Sequence, residues 1–154
     1  MDIRKPTIDD FDAVCALIAQ VHELHHNARP DVYAENAHFS YEYYVSLLTN
    51  KAGFPLAAYD GDKLIAFALA FIKPPNPNPA MLPHRIAYID NICVDKAYRG
   101  RGAGRLLYDE TVRMAKERGA DTLMLTVWSF NTDAIEFYKH LGMKERNINM
   151  EAGI

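Results

Sequence analysis

The chain has 154 residues, of which 49% are hydrophobic and 24% are charged, and its formal net charge is −3. This size and composition predict one globular domain spanning residues 1–154 and exclude a largely disordered chain. The slightly acidic balance also argues against a nucleic-acid partner, because non-specific binding to nucleic acid requires a basic face.

The sequence indicates neither a membrane anchor nor a disulfide framework. The longest apolar run, residues 64–72, is less than half of the roughly 20 residues that a membrane helix needs. The first ten residues lack the apolar centre of a signal peptide. The two cysteines, Cys15 and Cys93, fall in a helix pattern and a strand pattern. We therefore expect a reduced, cytoplasmic protein with no membrane partner.

Hydrophobic periodicity and turn residues predict ten secondary-structure elements. They are, in order, a strand at 2–7, a helix from Thr7 to about His26, a helix after Ser40, strands at 54–60, 63–72 and 85–94, a helix ending at Gly119, a strand at 122–128, a helix at 131–142 and a strand at 143–151. The order β-α-α-β-β-β-α-β-α-β predicts an α/β fold, a central mixed sheet flanked by helices. The strand at 85–94 is apolar on both faces and is therefore expected to be central.

A glycine-rich turn, AYRGRGAG at residues 97–104, joins that central strand to the third helix. Glycine permits positive φ and close approach of a ligand, so the turn exposes backbone N–H groups where the helix dipole is positive. Arg99, Arg101 and Arg105 add full positive charge. These features are typical of a phosphate site. The Rossmann and Walker patterns are not matched, and a glycine-rich bend without a ligand is the alternative.

Two motifs make the sequence resemble the GNAT superfamily of N-acetyltransferases. Residues 99–104, RGRGAG, match that family's R/Q-x-x-G-x-G/A acyl-CoA signature after a central strand. Residues 131–143 match its N-x-x-A-x-x-F-Y-x-x-L-G-M segment. The opening strand and the first two helices also fit the family's order, so the resemblance covers nearly the whole chain.

The resemblance implies that acetyl-CoA is the co-substrate and that no metal is involved. The CoA diphosphate is expected against the amides of residues 100–105, and the pantetheine arm along residues 90–94 as an added strand. Asn131 and Tyr138 are expected near the thiol end. The residues assigned to the cofactor are Ile92, Cys93, Val94, Arg99, Gly100, Arg101, Gly102, Ala103, Gly104, Arg105, Asn131 and Tyr138.

Acetyl transfer to an amine requires a neutral amine, hydrogen-bond donors to the thioester carbonyl and a proton for the departing thiolate. Tyr138 suits the last role, because a phenol keeps its proton at neutral pH. A core aromatic position in an amphipathic helix is the alternative for this tyrosine. A backbone N–H near Val94 is a candidate to polarise the carbonyl.

Asp90 is the first candidate for the general base, since its position in an apolar strand predicts loss of water and a raised pKa. The alternative is a buried carboxylate paired with an arginine or with backbone amides. Glu35, His38 and His84 are further loop candidates, and a site that selects neutral amine needs no base. Cys93 is less favoured as a nucleophile than as a small core residue, because no His or Asn is spaced to activate it.

Residues 22–26, HELHH, contain the H-E-x-x-H pattern of zinc enzymes in His22, Glu23 and His26. The predicted helix ends almost immediately afterwards, and no third ligand is specified. The alternative is a polar last turn that the helix dipole favours. A zinc hydrolase is therefore the third and least favoured function.

The function expected from the sequence is acetyl-CoA-dependent N-acetylation of a primary amine, on a small molecule or a peptide, by direct transfer in a ternary complex. A non-catalytic CoA-binding sensor of the same fold is the alternative. In the GNAT architecture the first two helices and their linker border the acceptor cleft. That region here supplies Arg29, Asp31, Tyr33, Glu35, His38, Tyr41 and Tyr44. A homodimer through residues 64–72 or the closing strand is left open.

Overall fold

The computed structural model describes residues 1–154 and contains five strands and four α-helices. The elements are β1 (Asp2–Arg4), α1 (Phe11–Ala28), α2 (Tyr41–Thr49), β2 (Gly53–Asp60), β3 (Lys63–Ile72), β4 (Ile86–Val94), α3 (Ala103–Glu117), β5 (Thr122–Leu125) and α4 (Thr132–His140). Short 3-10 turns at Ile8–Asp10 and Lys96–Tyr98 precede α1 and the glycine turn. None of the helices combines the length and the apolar character that crossing a membrane requires.

The strands form one sheet in the order β1-β2-β3-β4-β5. The first four strands pair antiparallel, and β4 pairs parallel with β5. The expected mixed sheet with flanking helices is therefore confirmed. The central position predicted for residues 85–94 is confirmed as well, because β4 has neighbours on both sides over its first half.

Helices cover both faces of this sheet. On one face α1 and α2 bury Val14, Leu17, Tyr44 and Leu47 against β2 and β3. On the other face α3 buries Leu107 against alanines of β2 and β3, and residues that follow α4 join the same side. The alanine-rich centre of β3 lets α3 lie close to the sheet. The sheet is thus held between two helical layers, and the carboxyl end of β4 lies between them.

The capping residues predicted from the sequence start their helices. The Asp10 carboxylate accepts a hydrogen bond from the Thr7 amide at 2.7 Å, which fixes the turn before α1. The Ser40 hydroxyl accepts from the Tyr43 amide at 3.1 Å at the start of α2. Both bonds satisfy N–H groups that a helix start leaves without partners.

Two predicted strands need correction. The closing strand at 143–151 does not form, and these residues carry no regular secondary structure. Six of its nine residues are polar, and its apolar Ile148 and Met150 are 79% and 84% exposed. The segment therefore presents no apolar face that pairing would bury. The strand predicted at 122–128 is shorter, Thr122–Leu125, and only half-buried because β5 lies at the sheet edge.

Candidate active site at the carboxyl end of β4

A β-bulge at Asp90 divides β4 into two halves. Leu69 of β3 faces Asn91 and Ala70 faces Ile89, so Asp90 is an extra residue without a partner on β3. Ile89 packs on the α3 side of the sheet, whereas Cys93 packs on the α1 and α2 side. Residues four apart in a regular strand share a face, so the bulge reverses which side chains point to which layer.

The second half of β4 has an open edge. The strand β5 pairs only with Ile86–Ile89, so residues 90–94 have β3 on one side and no strand on the other. The Val94 carbonyl at the end of this edge accepts a bond from Nε of Arg99 at 3.3 Å. An open strand edge is able to bind an extended ligand through backbone hydrogen bonds.

The glycine turn is open where the resemblance predicts the diphosphate. Gly100 and Gly102 have φ values of 75° and 87°, and a Cβ at either position would meet no atom within 4 Å. The amides of residues 100–102 donate to no other group of the chain, and Leu106 is the first amide to reach a turn carbonyl, that of Gly102 at 3.0 Å. The first amides of α3 also lack acceptors, as at any helix start. The turn therefore presents several free N–H donors at the positive end of α3.

Gly104 serves a different purpose from the other two glycines. Its φ is not positive, and a Cβ there would lie 3.3 Å from Cζ of Phe137 and 3.4 Å from Cγ2 of Val94. These contacts show that the missing side chain lets α3 approach both β4 and α4. Ala103 beside it is fully buried in the core. The turn thus has free backbone N–H donors at Gly100 and Gly102, and it leads directly into the closely packed start of α3.

The three arginines of the turn are exposed. Arg101 lies over the ring of Tyr98 at 5.1 Å, and Nε of Arg105 is 3.6 Å from the Asp109 carboxylate. No carboxylate pairs with Arg99 or Arg101. Two full positive charges beside the free amides are therefore not neutralised within the chain.

Asp90 is exposed, so the alternative of a buried carboxylate is not observed. It makes no hydrogen bond or ion pair within the chain, and the alternative of a paired structural carboxylate is not observed. Partial loss of water raises the pKa of Asp90, in the predicted direction. Burial raises the pKa of Tyr43, and the charge of Asp90 adds to this rise.

Tyr43 is a site residue that the sequence reasoning missed. Tyr43 is 48% exposed, whereas the adjacent Tyr44 is fully buried and its hydroxyl donates to the Thr7 carbonyl at 2.6 Å. Two consecutive aromatic residues cannot share one helix face. The sequence does indicate this difference, because Tyr44 and Leu47 have the three-residue spacing of one buried helix face and Tyr43 does not fit it.

Tyr138 follows Phe137 in α4, and Phe137 packs near Gly104 together with Val94 at the end of β4. Burial raises the pKa of Tyr138 strongly, with smaller contributions from Tyr108 and Cys93, and the phenol is therefore protonated at neutral pH. The Cys93 thiol donates to the Phe67 carbonyl at 3.6 Å, and burial raises its pKa to about 12. A thiol of this kind is a core group and not an activated nucleophile.

Asn131 begins α4 and uses its side-chain oxygen to accept from the Ala134 amide at 3.2 Å. Its side-chain NH2 group is left without a partner in the chain. The cap fixes the position of Asn131 at the start of the helix that carries Tyr138. Asn131 and Tyr138 thus belong to one helix, and the contact of Phe137 with Gly104 places that helix beside the glycine turn and the end of β4.

The other candidates lie outside this arrangement or have structural partners. His22 hydrogen-bonds to the Ala34 carbonyl at 2.7 Å, and His26 hydrogen-bonds to the Tyr33 carbonyl at 2.8 Å. No third Cys, Asp or Glu joins them to form a metal-binding group. His84 lies 3.4 Å from Asp121, at the amino end of β4. Glu35 and His38 are exposed loop residues.

An aromatic cluster connects the end of α1 to the loop before α4. The indole N–H of Trp128 donates to the Tyr33 hydroxyl at 2.6 Å, and His25 stacks on Tyr33 at 4.9 Å. Arg29 lies 5.2 Å above Trp128 and pairs with Asp31 at 2.7 Å. Asp31 is therefore already paired with Arg29. The sequence analysis did not predict Trp128 in this cluster, because it placed residue 128 in a strand.

Comparisons with known proteins identify the family. A family model described as "Acetyltransferase (GNAT) family" matches residues 18–143. An uncharacterised N-acetyltransferase from Methanocaldococcus jannaschii is 43% identical over 63 residues, which are 41% of this chain and only 28% of that protein.

Two solved structures share the fold. A mutant BH1408 protein from Bacillus halodurans has a TM-score of 0.96 at 29% identity and covers 100% of this chain and 99% of its own. The aminoglycoside N-acetyltransferase AAC(6′)-Iy, in complex with CoA, has a TM-score of 0.72 at 18% identity, covering 99% of this chain and all of its own, and shares the fold. The family model spans most of the chain, and the protein belongs to the acetyltransferase (GNAT) family.

Proposed function

We propose that the protein is an acetyl-CoA-dependent N-acetyltransferase that transfers the acetyl group to a primary amine by direct attack in a ternary complex, with residues 1–154 acting as one domain. The observation that carries the proposal is the open glycine turn at the start of α3, adjacent to the open edge of β4. The CoA complex of AAC(6′)-Iy, which has the same fold, supports CoA as the ligand. Two free cysteines support the expected reducing, cytoplasmic location.

The residues present fit acetyl-CoA, which supplies a thioester acyl group when it is bound. The free amides of residues 100–105 suit a diphosphate, because they converge at the positive end of a helix. Arg99 and Arg101 add charge that no carboxylate neutralises. The Ile92 and Val94 backbones lie on the open edge, while their side chains pack toward the core. This division suits an extended arm that bonds only to main chain.

We assign the proton transfers to Asp90 and Tyr138. Asp90 is unpaired and exposed, and its raised pKa makes it a stronger base than an ordinary aspartate. It accepts the proton of the acceptor ammonium, directly or through water. Tyr138 keeps its proton at neutral pH and lies near Cys93 on the open half of β4. It donates that proton to the sulfur that departs.

The acceptor is proposed to approach from the α1 and α2 side of the bulge. Asp90 and the exposed phenol of Tyr43 lie there, and the Tyr33 and Trp128 cluster forms part of the same helical layer. Tyr44 and Asp31 drop out of the predicted acceptor region, since one is buried in the core and the other pairs with Arg29. A carboxylate between aromatic rings suits a cationic amine on a small molecule or a peptide.

The test is an acceptor screen with acetyl-CoA in which release of free thiol is followed. Binding of CoA is measured first by the rise in Tm, because a ligand that binds only the folded state stabilises it. We expect saturable stabilisation by CoA and turnover with at least one primary amine. Stabilisation without turnover on any amine indicates the sensor instead, and an unchanged Tm contradicts CoA binding itself.

A further inference from the structure

A second basic site lies at the end of β4 remote from the glycine turn. An open cavity of about 450 Å³ is lined by Lys51, Ala52, Ile72, Lys73, Pro74, Arg85 and Arg118. Four of these seven residues are Lys or Arg, and none is acidic. We call it the basic cavity. The nine residues of β4 separate its two ends by about 26 Å, so this cavity is distinct from the candidate active site.

The four cations of the basic cavity have no carboxylate partners. Glu110 and Glu117 of α3 both pair with Arg113. Asp121 lies nearby, but it bonds to His84 and to the backbone N–H of Arg85 and not to the guanidinium. The acidic groups of this region are therefore already engaged elsewhere.

Aromatic and backbone contacts hold these cations without neutralising them. The guanidinium of Arg118 lies 4.8 Å from the Phe54 ring and donates to the Lys51 carbonyl at 3.2 Å. The Lys73 ammonium lies 4.0 Å from the Tyr88 ring centre. The Arg85 side chain packs against Gly119, 3.6 Å from the position a Cβ would take there.

Unpaired like charges around one cavity repel each other, and an anion between them relieves that repulsion. Arg118 directly follows α3, and the negative end of the helix dipole accounts for a cation at that position. It does not account for Lys51, Lys73 and Arg85, which come from three other segments.

We propose that the basic cavity binds a small organic molecule carrying two or more negative charges on phosphate-type oxyanion groups. The volume lies within the range of roughly 300–1,000 Å³ that small-molecule sites occupy. Guanidinium groups match such oxyanions with two parallel hydrogen bonds, and Lys adds mobile charge. Ile72 and Pro74 supply apolar surface for the carbon part of the ligand. The inference does not depend on the proposed function.

The experiment is a titration of the 15N-labelled protein with sodium pyrophosphate at constant ionic strength, monitored by amide chemical shifts. Pyrophosphate also suits the glycine turn, but amide shifts distinguish the two sites. The basic cavity reports through residues 51–53, 72–73, 85–86 and 118–119, and the glycine turn through residues 99–106. We expect the amide shifts of the basic cavity to saturate with a dissociation constant below about 5 mM. This value corresponds to a binding free energy of about −3 kcal/mol.

The double variant Lys73→Gln and Arg85→Gln removes two charges and leaves an unbranched polar side chain at each position. It is expected to weaken binding at the basic cavity at least tenfold and to leave the shifts at residues 99–106 unchanged. Lys144 is an exposed cation outside both sites, so Lys144→Gln is the matched control. It should change neither the binding at the basic cavity nor the shifts at residues 99–106. The same spectra report whether each variant is folded. Shifts that fail to saturate, or that the double variant leaves intact, overturn the proposal.

Discussion

The Cβ that Gly104 lacks would lie 3.3 Å from Cζ of Phe137. This approach brings the start of α3 against α4, so the helix that presents free amides and the helix that carries Tyr138 share one packing contact. Phe137 and Tyr138 are neighbours in α4, with their ring centres 5.2 Å apart. Packing at Gly104 therefore helps to set where the Tyr138 hydroxyl lies relative to the turn.

Replacing Gly104 by alanine should lower the stability of the fold by overpacking, by about 1 kcal/mol. Adding Phe137→Leu removes the ring atom that the new methyl meets, and it should recover part of the lost stability. Urea unfolding of the two single variants and the double variant measures the coupling. Strict additivity of the two changes would show that this contact does not limit the packing.

Replacing Gly102 by valine should weaken CoA binding at least tenfold. The residue has positive φ, and its Cβ position faces open space at the turn, so the added side chain covers the free amides and strains the backbone. Gly61→Val is the matched control, because Gly61 also has positive φ and open space but lies in the β2–β3 hairpin.

Both valine variants are expected to lower Tm by a similar amount, because the backbone strain is of the same kind. Only Gly102→Val is expected to change the dissociation constant for CoA, measured by calorimetry. If Gly61→Val weakens CoA binding as much, the effect is one of general stability and the role of the turn in binding diphosphate is contradicted.

Replacing Tyr138 by phenylalanine should lower turnover by about 10²–10⁴-fold, the usual contribution of a positioned acid. The dissociation constant for CoA should change less than twofold, since the ring and its packing remain. Tyr108→Phe is the control, because Tyr108 is a buried phenol beside Tyr138. Equal activity of Tyr138→Phe and the native enzyme would exclude the hydroxyl from the mechanism.

The sequence predicted the helices and the first four strands because their signals are local. Thr7 with Asp10 and Ser40 act within one helical turn, and the glycine turn follows directly from its composition. The motifs at residues 99–104 and 131–143 pointed to the family for the same reason. Each of these signals lies within a few residues of the structure that it specifies.

The features that were missed depend on pairing between distant segments. The bulge at Asp90 exists only in the register that β4 adopts against β3, and the bond from Trp128 to Tyr33 joins residues 95 positions apart. The closing strand failed for a related reason. An alternating pattern makes a strand only where one of its faces is buried, and the apolar side chains of Ile148 and Met150 are exposed.

Replacing Asp90 by asparagine separates its role in catalysis from its effect on the fold. Loss of water raises the pKa of Asp90, so the folded protein binds this proton more readily than the unfolded chain does. With respect to this group, the fold is therefore less stable above the pKa than below it. Asp90→Asn should raise Tm at pH 8, and the difference should shrink as the pH falls through the raised pKa and vanish below the ordinary value of 3.8.

The same variant should lose activity by about 10²–10³-fold with an acceptor whose amine is protonated at pH 7. An acceptor of low amine pKa is already neutral and needs no base, so the loss should shrink to a few fold with it. Asp62→Asn, an exposed carboxylate in the hairpin turn, is the control and should match the native enzyme in both assays. An equal loss with both acceptors would mean that Asp90 positions the acceptor rather than accepting its proton.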